Sequence, residues 1–215
     1  MNDLFNPESK FIRFLTRLTD CIILNILLVV MSATIVLAGD AQAALYTVTL
    51  KMVRREEGEI TKNYFRALKK NFLPSAPATP LLLIDIFMMA VIYYSLRADT
   101  LVFSPMLYVL LWILIALLTA FLSYLFPLIS RFDNKFGEHC RNALGLSLAN
   151  LPVTIMVTII NLAPFITTTF LQNMAGYVAG YWLFIGVGLG AYINSYYLRT
   201  IFDKKTITGG GYGQD

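Results

Sequence analysis

The stretch "LAGDAQAALYTVTLKMVRR", residues 37–55, decides the fold. It follows a clean apolar run. The thirteen residues from Ala41 to Val53 are themselves mostly apolar, and the stretch closes in charge, with Lys51, Arg54 and Arg55. A chain that leaves the membrane at Gly39 and stays out has its ends on opposite faces. A chain that turns there and comes back has both ends on one face.

Composition places this stretch in a membrane protein. Of 215 residues, 57% are hydrophobic and 14% charged, where a soluble domain carries about 25% charged residues; mean hydropathy is +0.65. Apolar runs lie at about 18–38, 80–96, 105–126, 151–171 and 177–198. At about 1.5 Å per residue each can cross, or nearly cross, a hydrocarbon core of about 30 Å. The longest polar stretch, 51–80, has room for one surface helix and no soluble domain. The chain therefore reads as one helical-bundle domain over 1–205 with a flexible tail at 206–215. The first run exceeds a signal-peptide core and has no cleavage site before Gly39, so a retained helix is expected.

Charge resolves the turn. The chain has 17 Lys and Arg. Three precede the first run, seven lie between the first and second, Arg97 alone follows the second, three follow the third and three close the chain. Five passes would split them 13 to four; a return over Ala41–Val53 makes the split 16 to one, which the positive-inside rule strongly prefers. Thirteen residues span only about 20 Å, so the expectation is a short re-entrant helix packed against its neighbours. Gly39 would supply the permissive backbone for the turn and Asp40 the helix cap. Both termini then fall in the cytoplasm. The fold expected is an all-α polytopic membrane protein with five long transmembrane helices, one re-entrant helix, and amphipathic helices on the cytoplasmic surface.

Two such surface helices are read. Over 6–19, Asn6 can cap and Pro7 suits the first helical position; Lys10, Arg13, Arg17 and Asp20 face away from Phe11, Phe14, Leu15 and Leu18, the pattern of a headgroup-layer helix. Over 58–73, Ile60, Tyr64, Phe65, Leu68 and Phe72 form an apolar stripe edged by Lys62, Arg66, Lys69 and Lys70. Beside long apolar runs, those bases suit anionic lipid headgroups or a protein partner and not nucleic acid.

These pieces resemble, in order, the YesL-like membrane proteins of Gram-positive and related bacteria, a family of unknown function. The likeness rests on "LNILLVVMSATIVLAGDAQAALYTVTLKMVRREEG" (24–58), "NYFRALKKNF" (63–72), "FPLISRFDN" (126–134), "RNALGLSLANLP" (141–152) and "AYINSYYLRTIFDK" (191–204). Where the family pattern often has a proline before the first turn, this chain reads "ATIVLAG". Genes for such proteins tend to sit beside sugar ABC importer components and glycoside hydrolases, so the resemblance implies a role in carbohydrate uptake. It brings no catalytic residues.

Chemistry at membrane depth is sparse. Asp85, in "LLLIDIFMMA", is the sharpest feature, since an intramembrane carboxylate faces a partner or a cavity. The readings are a hydrogen bond or a salt bridge to Arg131 or Lys135, a ligand or proton site, or solvation at the interface. Asn25, Asn161 and Asn194 are mid-helix amides, each worth roughly 0.6–2 kcal/mol as interhelical hydrogen bonds, and together could line a polar cleft for a sugar or lipid headgroup. Pro164 should kink its helix beside Asn161 and open a cavity there. Gly186 and Gly190 have the spacing of a close helix contact. Between the third and fourth runs, Phe132 and Phe136 would anchor to the interface, and Arg131 could pair with Asp133 or Glu138. Adjacent Glu138, His139 and Cys140 project in different directions and cannot share a metal. No phosphate loop or nucleophile–base pair is visible, so neither an enzyme nor a cofactor is expected. The first functional reading is an accessory or assembly subunit bound to a sugar ABC permease, or a homo-oligomer; the alternative is an autonomous small transporter or ligand-binding protein using the polar cleft.

Overall fold

The computed structural model describes residues 10–56, 58–97 and 103–208. These form α1 (Lys10–Ser32), α2 (Ala38–Arg54), α3 (Ile60–Ser75), α4 (Thr79–Arg97), α5 (Pro105–Arg131), α6 (Phe136–Ala149), α7 (Leu151–Phe170), α8 (Ala175–Tyr181) and α9 (Val187–Thr208), with no strand among them. A π turn, Trp182–Gly186, joins α8 to α9. Five helical stretches are long and apolar enough to cross a membrane: Phe11–Ser32, Ile60–Arg97, Pro105–Arg131, Leu151–Phe170 and Ala175–Asp203. Their outer faces are apolar, with Phe87, Val109, Leu117, Ile155, Ile159 and Phe184 all exposed. Asn25, Asp40, Thr49, Asp85, Asn194 and Ser195 are buried. Polar inside and apolar outside is the pattern lipid imposes.

The chain does turn at 33–37, and α2 returns through the middle of the bundle. Twelve of its 17 residues are buried, and at about 1.5 Å per residue it is about 25 Å long. Small residues at Ala38, Gly39, Ala41, Ala43 and Ala44 let α1, α3, α5 and α9 approach it. Its direction follows from its partners. Tyr46 meets Asn194, Thr49 Oγ1 lies 2.8 Å from Ser195 Oγ, and Arg54 meets Asp203, so α2 runs parallel to α9. Asn25 meets Trp182 and Leu183 while Cys21 lies against Gly188, so α1 runs antiparallel to α9. The start of α1 and the end of α9 therefore lie at the same end of the bundle.

That end is tied by charge. Asp203 of α9 accepts from Arg131 of α5 at 2.7 Å, from Arg54 of α2 at 3.2 Å and from Arg199, one turn back, at 3.2 Å. Arg199 also donates to the Val53 carbonyl at 3.0 Å. Arg131 thus pairs with Asp203, and not with Asp85, Asp133 or Glu138 as the sequence led us to expect.

Other details differ from the sequence reading. The separate surface helix over 6–19 is, from Lys10 on, simply the first turns of α1, because nothing between Lys10 and Ser32 breaks the helix; residues 6–9 lie outside the described residues. In α3 the buried stripe is Ile60, Tyr64, Ala67, Asn71 and Ser75, while Phe65 and Phe72 point outward. The helix is held through polar and small residues, as in Asn71 Nδ2 donating to Thr47 Oγ1 at 3.0 Å. Gly39 is not in the turn but inside α2, where a Cβ would run into Thr79 Oγ1 and lie 3.3 Å from the Ser75 carbonyl. Asp40 caps nothing: Leu37 holds the cap position without a side-chain bond, and Asp40 accepts from Ser75 Oγ across the α2–α3 contact. α9 continues to Thr208, through the first three residues of the tail expected from 206; 209–215 lie outside the described residues.

Candidate functional site: a polar intramembrane cavity

Four of the long helical stretches surround a cavity of about 340 Å³ together with α2. That volume is at the small end of the roughly 300–1,000 Å³ typical of ligand sites. Gln42 and Tyr46 come from α2, Asp85 from α4, Thr119 and Ser123 from α5, Asn161 and Pro164 from α7, and Trp182 and Gly190 from the last stretch. Pro164 has no N–H for the Ile160 carbonyl one turn back, and both residues line the cavity. The wall is otherwise apolar, with Leu45, Leu82, Met89 and Phe126.

The polar groups form one chain across the bundle. Thr119 Oγ1 donates to Asp85 Oδ2 at 2.9 Å. One turn along, Ser123 Oγ donates to the Thr119 carbonyl at 2.7 Å and receives Asn161 Nδ2 at 2.6 Å. Asn194 Nδ2 donates to Asn161 Oδ1 at 2.8 Å and lies 3.5 Å from Tyr46 OH. Two buried acceptors in this chain, Asp85 Oδ1 and Asn194 Oδ1, have no donor among the described residues. Asp85 is 4% exposed and no Lys, Arg or His lines the cavity. The site thus carries one acid, with one carboxylate oxygen left to accept and no base beside it.

Of the residues singled out from sequence, Asp85 and Asn161 line this cavity and Asn194 stands directly behind it. Asn25 does not belong to it. Its Nδ2 donates to the Leu183 and Trp182 carbonyls at 2.5 and 3.1 Å, and its Oδ1 accepts from Gly188 N at 2.6 Å. Asn25 thereby ties α1 to the backbone of the π turn and the first turn of α9. Gly186 and Gly190 both line the cavity, and of the two only Gly190 meets another helix closely, at Ile160 of α7. A Cβ at Gly186 would strike the Trp182 ring, and one at Gly190 would sit 3.2 Å from Ile160 Cγ2. The close approach to α1 is made by Gly188, over the Cys21 carbonyl. Lys62, Arg66, Lys69 and Lys70 are exposed on α3, remote from these contacts.

Gln42, Tyr46, Thr119 and Ser123 were not singled out from sequence. Short hydroxyl side chains are common in membrane helices as back-bonders to their own backbone, so nothing in the local sequence marks the two that face a cavity. On α6, His139 is buried, and burial holds its imidazole below the ordinary value. Among the described residues no group of three His, Cys, Asp or Glu side chains is placed to hold a metal ion.

Fold and cavity together define an integral, multi-pass helical membrane protein with a buried polar site. Residues 21–96, from α1 through α4, match a protein family of unknown function, DUF624. No curated protein and no solved structure matches the chain.

Proposed function

We propose that the protein binds a small, donor-rich solute in the cavity between α2, α4, α5, α7 and α9, and that it does no covalent chemistry. It would reside in the bacterial plasma membrane with both ends in the cytoplasm, as the distribution of Lys and Arg favours. The observation that carries the reading is the unpaired acceptor on the cavity wall: Asp85 Oδ1 lacks a donor among the described residues, and no Lys, Arg or His lines the cavity. Hydroxyls or an ammonium group would supply what is missing, whereas an anion would meet an acid and no compensating charge. A neutral polyol such as a monosaccharide fits this chemistry, and the carbohydrate setting implied by the resemblance to YesL-like proteins points the same way.

Association with a sugar ABC permease is the second reading. It is favoured by the outward face of α3, where Phe65, Phe72 and Leu73 are exposed beside the four bases. One preparation tests both. The tagged protein is purified in mild detergent from its host, its partners are identified, and binding of radiolabelled glucose and maltose is measured by scintillation proximity. Saturable binding that weakens at least about tenfold in Asp85→Asn or Asn161→Leu, about 1.4 kcal/mol, supports the cavity. Absence of binding, or binding unaffected by either change, removes it. Stoichiometric recovery of permease subunits, lost when Lys62, Arg66, Lys69 and Lys70 become Gln, supports the importer subunit.

A further inference from the structure

At the basic end of the bundle three arginines converge on a single carboxylate, far in chemistry from the cavity and independent of it. Arg54, Arg131 and Arg199 each reach Asp203 through one nitrogen, two of them on the same oxygen. None of these contacts is the two-pronged fork that a guanidinium forms with a matched oxyanion. Three guanidiniums present about fifteen N–H donors, and one carboxylate offers about four lone-pair positions. The Val53 carbonyl takes one further donor from Arg199, and Arg131 packs over the Phe132 and Phe202 rings. Arg131 Nη1 is buried without a partner among the described residues. Arg54 and Arg131 lie in the last turns of α2 and α5, where each helix end contributes roughly half a negative charge. With Asp203 that leaves a net positive charge of about one. The arginine side chains are 25% exposed at Arg54 and 41% at Arg199, so the excess donors can be reached from outside.

We infer that this cluster binds a phosphate group, held chiefly by the unused N–H groups of Arg54 and Arg199 while Asp203 keeps the guanidiniums oriented. A phosphate offers three or four acceptor oxygens in the geometry a guanidinium fork matches, and its negative charge balances the residual positive charge. The group could belong to an anionic lipid headgroup or to a soluble phosphorylated molecule, and the two sources separate experimentally.

The experiment measures thermal unfolding of the full chain in uncharged detergent with two probes. One is dioleoylphosphatidylglycerol doped into the micelles, against the same amount of an uncharged diacylglycerol. The other is inorganic phosphate, against chloride at equal ionic strength. Wild type is expected to gain stability with at least one phosphate probe, and the half-saturating concentration should rise about tenfold in Arg54→Gln and in Arg199→Gln. Arg54→Gln leaves Arg131 and Arg199 on Asp203. Stabilisation by the lipid alone identifies a headgroup site; stabilisation by inorganic phosphate as well identifies a site open to soluble ligands. If wild type responds to neither probe, the inference fails without reference to any variant. It fails equally if both variants respond as wild type does.

Discussion

At the scale of single residues, the clearest case is Asn25. Its amide meets two carbonyls and one N–H of the segment 182–188, so removing it deletes three bonds between α1 and that segment and leaves a buried polar contact unmade. An unpaired buried group costs about 1–3 kcal/mol in a soluble core, and interhelical bonds in membranes average about 0.6 kcal/mol. Asn25→Leu should therefore destabilise by about 2 kcal/mol in denaturant titration, with Ile26→Leu, on the exposed face beside it, unchanged. Equal midpoints for the two variants would refute this role for Asn25. The role of Asn25 could not be read in advance, because its partners are backbone atoms more than 150 positions away, and a backbone carbonyl leaves no mark in a sequence. Asp85 was legible for the opposite reason. A carboxyl inside an apolar run is costly wherever it lands, so its presence alone signals a compensating environment. The partner was another matter: sequence offered bases, and the bundle supplied Thr119.

At the scale of elements, α2 is the helix on which packing turns. Its Ala- and Gly-rich first half buries almost completely, and Gly39 is the point of closest approach to the α3–α4 junction. Gly39→Leu must displace Thr79 and the Ser75 backbone, so a loss of about 3 kcal/mol is expected. Gly145, on the exposed side of α6, has open space around it. Gly145→Ala should stabilise by up to about 1 kcal/mol through helix propensity alone. Unfolding temperatures of the two variants should thus move in opposite directions; a loss in both would mean that helix strain, and not helix contact, governs these glycines. The sequence located α2 through the charge that follows it, but its apolar residues gave only Ala41–Val53, thirteen positions of a helix that has 17. It did not reveal α2 as the centre of the bundle, because small residues give a weak hydrophobic signal although they permit the closest contacts. For the same reason the stripe of α3 was misread. Ile60 and Tyr64 are buried as assigned, but Phe65 and Phe72 turn outward and the interface continues instead through Ala67, Asn71 and Ser75.

At the scale of the whole molecule, counting α2 as a pass puts the beginning of α1 and the end of α9 at one end of the bundle, tied there through Asp203. Ser104, exposed at the start of α5, belongs to the opposite end, and Lys135, exposed just past the end of α5, to the same end as Asp203. In a Cys140→Ser background, Ser104→Cys and Lys135→Cys should react with an impermeant thiol reagent from opposite sides of sealed vesicles. A tag ahead of α1 should share the side of Lys135→Cys. A tag on the side of Ser104→Cys would mean that α2 does not complete a pass, and the topology would revert to five.

What the sequence determined by itself was the class of protein, the existence of the long helices, the turn back at the end of the first one, and the rare acid within the fourth helix. These follow from one-dimensional quantities, namely apolar length, charge placement and the cost of an ion in hydrocarbon. What only the tertiary structure decided was which polar residues meet. The cavity draws on α2, α4, α5, α7 and α9, with Tyr46, Asp85, Thr119, Ser123, Asn161 and Asn194 scattered over some 150 positions. Three arginines from three helices find the same carboxylate. The physical reason is common to both sites. In lipid the apolar effect that sorts inside from outside in water is weak, so helices choose their neighbours by close packing and polar pairing, and both depend on the rotation and register of each helix, which no single segment specifies.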